Sequence, residues 1–163
     1  MEFDVTLTEQ DMVRFNLYHT YSKFQSWFAM IVAVFAFFVA IWSYGRVSTT
    51  LTVIYFLVGG FVLVYIPGNT VLSAKHRIRL MPELLEPLHY RIDDTGVTVS
   101  KNEDSATLPW EQTYRVVAVK TAFYIYSNRI HAYVIPKTAL SDEGEATFRS
   151  LVTQHMEPHR VKL

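Results

Sequence analysis

Six histidines, His19, His76, His89, His131, His155 and His159, are the side chains best suited to hold a metal or move a proton near neutral pH. Only "HMEPH" brings two of them close, with His155 and His159 four apart and Glu157 between them. On a helix that spacing would put both imidazoles on one face, as in a metalloprotease. Pro158 interrupts such a helix, so the segment reads as a chain end and no metal ligand is assigned. A metal-dependent membrane-associated enzyme, with zinc on His155 or His159, remains the least favoured alternative. Asp93 and Asp94 are adjacent in "DDTG", but acid–base work needs carboxylates arranged about one reacting bond. A tight turn is the better reading. Lys137, in "AYVIPKTAL", lacks the flanking signs of burial that would turn a lysine into a nucleophile. With no cysteine, thiolate chemistry and disulfides are excluded. Glycine-rich phosphate loops, nucleophile elbows and calcium loops do not occur in the sequence. The expectation is therefore a chain without catalytic residues, cofactor or metal.

Binding is the remaining use for the polar and aromatic candidates. Trp110, Lys120, Arg129 and Lys137 form a candidate interaction surface. Trp110 follows Pro109 at the head of a strand, where it would also serve as the main packing residue of a small sheet. Lys137 follows Pro136, which cannot donate to a sheet ladder, so a solvated strand-to-helix corner is its default role. Lys75, Arg77 and Arg79 are candidate lipid-headgroup contacts, although a topogenic charge bias accounts for the same cluster.

The elements that must position these residues begin with two charge-free stretches, 24–44 and 47–66, separated by a loop containing Arg46. Each is about 20 residues long, enough to cross a hydrocarbon core of about 30 Å. Trp27, Trp42 and Tyr44 sit where aromatic rings favour the membrane interface. The short loop forces an antiparallel hairpin. Arg14, Lys23, Lys75, Arg77 and Arg79 outnumber Arg46, so both termini are expected in the cytoplasm. Gly59 and Gly60, with Ala33 and Ala36 among the small residues of the first span, are the candidate packing contacts. No ionisable residue lies within either span, which argues against an ion pathway through this chain alone. Pro67 and Gly68 suggest a helix end or kink, with residues 67–87 as a juxtamembrane connector that includes a short helical segment around Val71 to Leu80. Zero formal charge gives no bulk attraction for nucleic acid.

From residue 88 the periodicity falls to two, and about six short strands separated by turns predict an antiparallel meander over 88–163. A helix over 141–156 closes it, capped by Ser141 and led by Asp142, Glu143 and Glu145. Its apolar face carries Phe148, Leu151 and Val152, which would leave Glu145, Arg149 and His155 mostly in solvent. Residues 1–23 read as a strand, Phe3 to Leu7, and a helix capped by Thr8 with Asp11. That strand is a candidate seventh member of the sheet, which would make the hairpin an insertion within one fold. The fold class is thus an α+β membrane protein, a transmembrane hairpin plus a small antiparallel β domain closed by a C-terminal helix.

The order of "LTEQDMVRFNLYH" at 7–19, the two spans, "IDDTGVTV" at 92–99, "LPWEQTYRVVAVKTAFYIYS" at 108–127 and "VIPKTAL" at 134–140 resembles the YcxB-like family of small bacterial membrane proteins. The resemblance implies a pleckstrin-homology-like β domain in the cytoplasm and location in the bacterial inner membrane. It brings no biochemical activity with it. The leading expectation is a noncatalytic membrane protein whose cytoplasmic domain contacts an unidentified protein partner; the alternative is anionic-lipid sensing. Exposed strand edges also permit a homo-oligomer.

Overall fold

The computed structural model describes residues 1–81, 85–102 and 104–163, and is α+β. The chain divides into two compact units: Met12–Leu80 is helical, while Met1–Asp11 and Met81–Leu163 form the second unit around two sheets.

In the helical unit, α1 spans Glu9–Tyr21, α2 Phe24–Ser43 and α3 Thr49–Leu80. Both α2 and α3 are long and apolar enough to cross a membrane. The start of α1 matches its sequence signature: Asp11 Oδ2 accepts from the Thr8 backbone N–H at 3.0 Å, and Thr8 Oγ1 accepts from the Asp11 N–H at 3.2 Å. Gly45, at φ +75°, turns the chain between α2 and α3. Close approach of the two helices centres on Gly59, where an added Cβ would lie 3.0 Å from both the Ala33 carbonyl oxygen and a Phe37 ring carbon. Ala33 and Ala40 are buried along this seam, whereas Ala36 is half-buried and Gly60 keeps ordinary contact distance to Phe37. The second helix does not end at Pro67. It continues as one 32-residue element through Pro67 and Gly68 to Leu80, so the helical segment expected around Val71 to Leu80 is the last part of α3 and not a separate helix. Pro67 cannot donate to the carbonyl four residues back, yet flanking turns hold, with Thr70 Oγ1 donating to the Ile66 carbonyl at 2.8 Å.

The sheet unit contains β1 Glu2–Val5, β2 Leu88–Asp93, β3 Gly96–Lys101, β4 Asp104–Pro109, β5 Arg115–Ala118, β6 Ala122–Tyr126, β7 Ala132–Pro136, α4 Asp142–His155 and β8 Val161–Lys162. Among the described residues seven strands therefore follow the hairpin, the extra one being the two-residue β8, too short to carry a period. They form not one meander but two sheets, ordered β1-β2-β3-β4 and β7-β6-β5-β8. All pairings are antiparallel except β5 with β8.

Strand β1 is the closing strand anticipated from Phe3 to Leu7, shifted to Glu2–Val5. Its pairing with β2 is written in side chains: Phe3 stacks on Tyr90 with ring centroids 5.7 Å apart, Glu2 faces Arg91 at 3.8 Å, and Asp4 meets His89 at 2.8 Å. Such cross-strand pairs contribute about 0.2–1 kcal/mol each. Inward residues of both sheets and of α4 build one core. Val5, Tyr90, Ile92, Val97, Phe123, Ile125, Ile135, Phe148 and Val152 are all at most 1% exposed. Tyr90 meets Tyr133 edge-on across the sheets at 6.4 Å, and Phe123 meets Phe148 of α4 at 4.8 Å. Burial pushes the Tyr90 hydroxyl well above the ordinary tyrosine range, so it stays neutral.

Gly96 allows this geometry. It holds φ +152° where β2 turns into β3, and a Cβ there would collide with the Leu108 carbonyl oxygen and lie 2.8 Å from Pro109 Cα. Gly96→Ala is expected to destabilise the sheet unit by more than about 1–3 kcal/mol, the cost of an unfavourable backbone alone. Thermal unfolding followed by near-ultraviolet circular dichroism of the full chain measures it, and an unchanged midpoint would contradict the close packing of β3 on β4.

Candidate functional site

Lys137 stands where β7 ends. Pro136 closes the strand, a single helical turn covers Lys137–Ala139, and the Lys137 N–H donates to the Thr121 carbonyl at 2.9 Å. Ser141 then caps α4 by accepting from the Gly144 N–H at 3.1 Å, which aims Glu145 back at the corner. Glu145 Oε1 accepts from Lys137 Nζ at 3.0 Å, from Arg149 Nε at 3.0 Å and from Arg149 Nη2 at 2.8 Å. Both cations lie over the Phe123 ring, at 5.0 Å for Lys137 Nζ and 5.2 Å for Arg149 Cζ. The expected solvated corner is thus a half-buried ion cluster, and Glu145 and Arg149 are not mostly in solvent: their side chains are 29% and 36% exposed. The reason is the apolar platform of Phe123, which draws the aliphatic stems inward and leaves the charges to satisfy one another. Hydrogen bonds from Arg149 and then Lys137 hold the Glu145 carboxyl below the ordinary range. The cluster can latch β7 to α4; a paired ammonium of this kind is no nucleophile.

Trp110 belongs to the core rather than to a surface, at 3% exposed. It begins the single turn Trp110–Gln112 after β4 and donates through Nε1 to the Asp93 carbonyl at 2.9 Å. His155 of α4 stacks on its ring, 6.3 Å between centroids and 5° from parallel, while His155 Nε2 lies 3.2 Å from Asp94 Oδ1. His155 too is half-buried instead of solvated. Asp93 accepts from the Thr95 N–H at 2.9 Å, and the Thr95 hydrogen bonds, with a smaller contribution from Arg91, lower its carboxyl pKa. The two aspartates therefore perform turn and docking chemistry. His159 faces Glu157 at 3.5 Å, and among the described residues no three His, Asp or Glu side chains are grouped closely enough to hold a metal ion.

The other candidates are dispersed. Lys120 is exposed in the turn between β5 and β6, beside Thr121 and so at the Lys137 end of the sheet. Arg129 is exposed in the turn after β6, at the opposite end of that strand, roughly 16 Å away at about 3.3 Å per residue. Trp110, Lys120, Arg129 and Lys137 do not form one surface. Lys75, Arg77 and Arg79 are exposed on the last turns of α3, with Ala74 and Ile78 of the same turns buried. Among the described residues none of these three cations is in an ion pair. The residues that sequence reading overlooked are Glu2, Asp4, His89 and Arg91, whose outward alternation in "EFDV" and "LHYRI" is the signal of complementary facing strands.

Residues 92–152 match the family model described as YcxB-like protein, a stretch running from the end of β2 into α4. The resemblance stated from sequence motifs holds over that segment. No curated protein and no solved structure matches the chain.

Because the Glu145 carboxyl is depressed in the folded state, its stabilising contribution is full above the ordinary carboxylate range and is lost as pH falls through the lowered value. Glu145→Gln is expected to lower the unfolding midpoint at pH 7 and to converge on the wild type at strongly acidic pH. Parallel thermal melts from pH 7 downward check this, and a gap that widens toward acid would contradict the cluster.

Proposed function

We propose that the chain is a noncatalytic integral membrane protein whose β domain makes protein contacts at the cytoplasmic face of a bacterial inner membrane. The observation that carries this reading is the pairing of β1 with β2: the strand before the apolar hairpin is bonded to the first strand after it. A domain tethered on both sides of a membrane insertion stays at the bilayer, where its free surfaces meet other membrane-held proteins at high effective concentration. The cationic excess at the hairpin's open end, Arg14, Lys23, Lys75, Arg77 and Arg79 against Arg46 in its loop, supports cytoplasmic termini. Two sheets closed by a final helix support the pleckstrin-homology-like reading.

A second reading, contact with anionic lipid, rests on α3. Between Thr49 and Lys75 that helix carries no charge, and at about 1.5 Å per residue it extends about 39 Å before its first cation. A bilayer with its headgroups is about 40–45 Å thick, so Lys75, Arg77 and Arg79 would fall at headgroup level. Lys75 and Arg79, one turn apart, line a shallow cleft with Leu72, Ser73 and His76.

Photoreactive residues placed singly at Thr107, Lys120 and Arg129 of the full chain in native membranes test the first reading. A discrete protein adduct from at least one position is expected; lipid adducts alone at all three would overturn it. For the second, wild type and the variant with Lys75, Arg77 and Arg79 all changed to Glu are compared in nanodiscs of mixed phosphatidylglycerol and phosphatidylcholine. Native mass spectrometry should show anionic lipid retained by the wild type and reduced roughly fivefold for each cation lost, from about 1 kcal/mol per residue. Equal retention would remove the lipid reading.

A further inference from the structure

Strand β4 is an edge of its sheet, paired to β3 on one side only, and Asp104, Ser105, Ala106 and Thr107 are exposed. Natural edges are usually blunted by lysine, proline, a bulge or an inward charge. Between its terminal Asp104 and Pro109 β4 carries neither charge nor proline, and its register with β3 runs without a bulge.

The ladder shows which backbone groups are free. In antiparallel pairs, hydrogen-bonded and non-hydrogen-bonded rungs alternate. The Trp110 N–H donates to the Thr95 carbonyl, so in the β3–β4 register the hydrogen-bonded rungs are Val97 with Leu108, Val99 with Ala106, and Lys101 with Asp104. The β2–β3 hairpin agrees: its closing rung is Asp93 with Gly96, which assigns Gly96, Thr98 and Ser100 to β2 and leaves Val97, Val99 and Lys101 for β4. Ala106 therefore spends its backbone groups on β3. Ser105 and Thr107 direct theirs outward, offering two donors and two acceptors.

We propose that this edge binds the β4 edge of a second copy of the chain, antiparallel and about a two-fold axis at Ala106. In that register Ser105 pairs with Thr107 of the second copy and Thr107 with its Ser105, so all four outward groups are satisfied reciprocally. Ala106 faces itself at a non-hydrogen-bonded rung, where Cα atoms approach to about 4.5 Å and a small side chain fits best. Asp104 faces Leu108, which keeps the two aspartates off a common rung. On the face where Thr98 Oγ1 already meets Thr107 Oγ1 at 3.0 Å, the Ser105 and Thr107 hydroxyls extend the row across the junction. The edge is complementary to itself in backbone and size and puts no like charges on a common rung, and this is the argument for a second copy over an unrelated peptide. The inference deepens the protein-contact reading and rests on it by naming the partner.

The chain has no native cysteine, so single cysteines report the register directly. In full-length protein reconstituted in lipid, Ala106→Cys should give a disulfide-linked dimer on mild oxidation. Ser105→Cys or Thr107→Cys alone should not, because those copies sit about 8 Å from their own counterparts, beyond the reach of a disulfide. Mixing the Ser105→Cys and Thr107→Cys proteins should restore a cross-link. Thr107→Pro removes an N–H that β3 does not use, so the domain should keep its fold by circular dichroism while the Ala106→Cys cross-link falls at least tenfold. Equal cross-linking at 105, 106 and 107, or an Ala106→Cys dimer that survives Thr107→Pro, would overturn the proposal. A monomer at every concentration would do so as well. Protein adducts elsewhere on such a monomer would leave the protein-contact reading standing, whereas lipid adducts alone would remove both.

Discussion

The pairing of β1 with β2 is the contact on which the remaining architecture depends. It joins Val5 to Leu88 across the whole hairpin, and the Met1 amino group and Met1 carbonyl extend the ladder to Ile92 at 2.7 and 2.8 Å. Chain length between paired strands is inexpensive, since each doubling of a flexible loop costs only about 0.6 kcal/mol. The stacked Phe3 and Tyr90 rings and the Glu2–Arg91 and Asp4–His89 pairs offset that cost locally. With β1 in place, Tyr90 and Ile92 are covered, and the first sheet presents a complete inner surface to the second.

That closure shapes the rest of the sheet unit. Once β1 occupies one edge of its sheet, the other edge falls to β4, whose outward groups no element covers among the described residues. Helix α4 finishes the core from Phe148 and Val152, and its polar flank is absorbed at both ends. Near its start Glu145 latches the Lys137 corner; at its end His155 lies on Trp110 and Asp94. Side chains that look chemical in the sequence are thus used for assembly. Their charges and rings meet one another, and the outward-facing features include a strand edge, dispersed turn cations and the basic end of α3.

Some features were legible from one residue's local requirement. Charge-free length marks α2 and the apolar part of α3; the Thr8–Asp11 and Ser141 caps mark helix starts; "DDTG" marks the hairpin where Gly96 lacks room for a side chain. Each is set by contacts within a few residues, which sequence spacing encodes. Pro67 misled for the same reason. A local rule ends or kinks a helix there, but Pro67 removes only one backbone donor, and the turns on either side carry the helix on to Leu80.

Sequence by itself determined the two apolar helices, the strand-rich carboxy-terminal half, the capped last helix and the absence of thiol chemistry. Tertiary structure alone decided that the strands split into two sheets, that Lys137 and Arg149 share one hydrogen-bond acceptor in Glu145, that Lys120 and Arg129 stand at opposite ends of β6, and which backbone groups of β4 remain free. The division has a physical cause. Helix length, caps and turns depend on neighbours along the chain, whereas strand partners and the burial of a charge depend on residues brought together from distant positions. Rung parity is the sharpest case: Ser105 and Thr107 are set apart from Ala106 by hydrogen bonds to β3, and composition carries no trace of that difference.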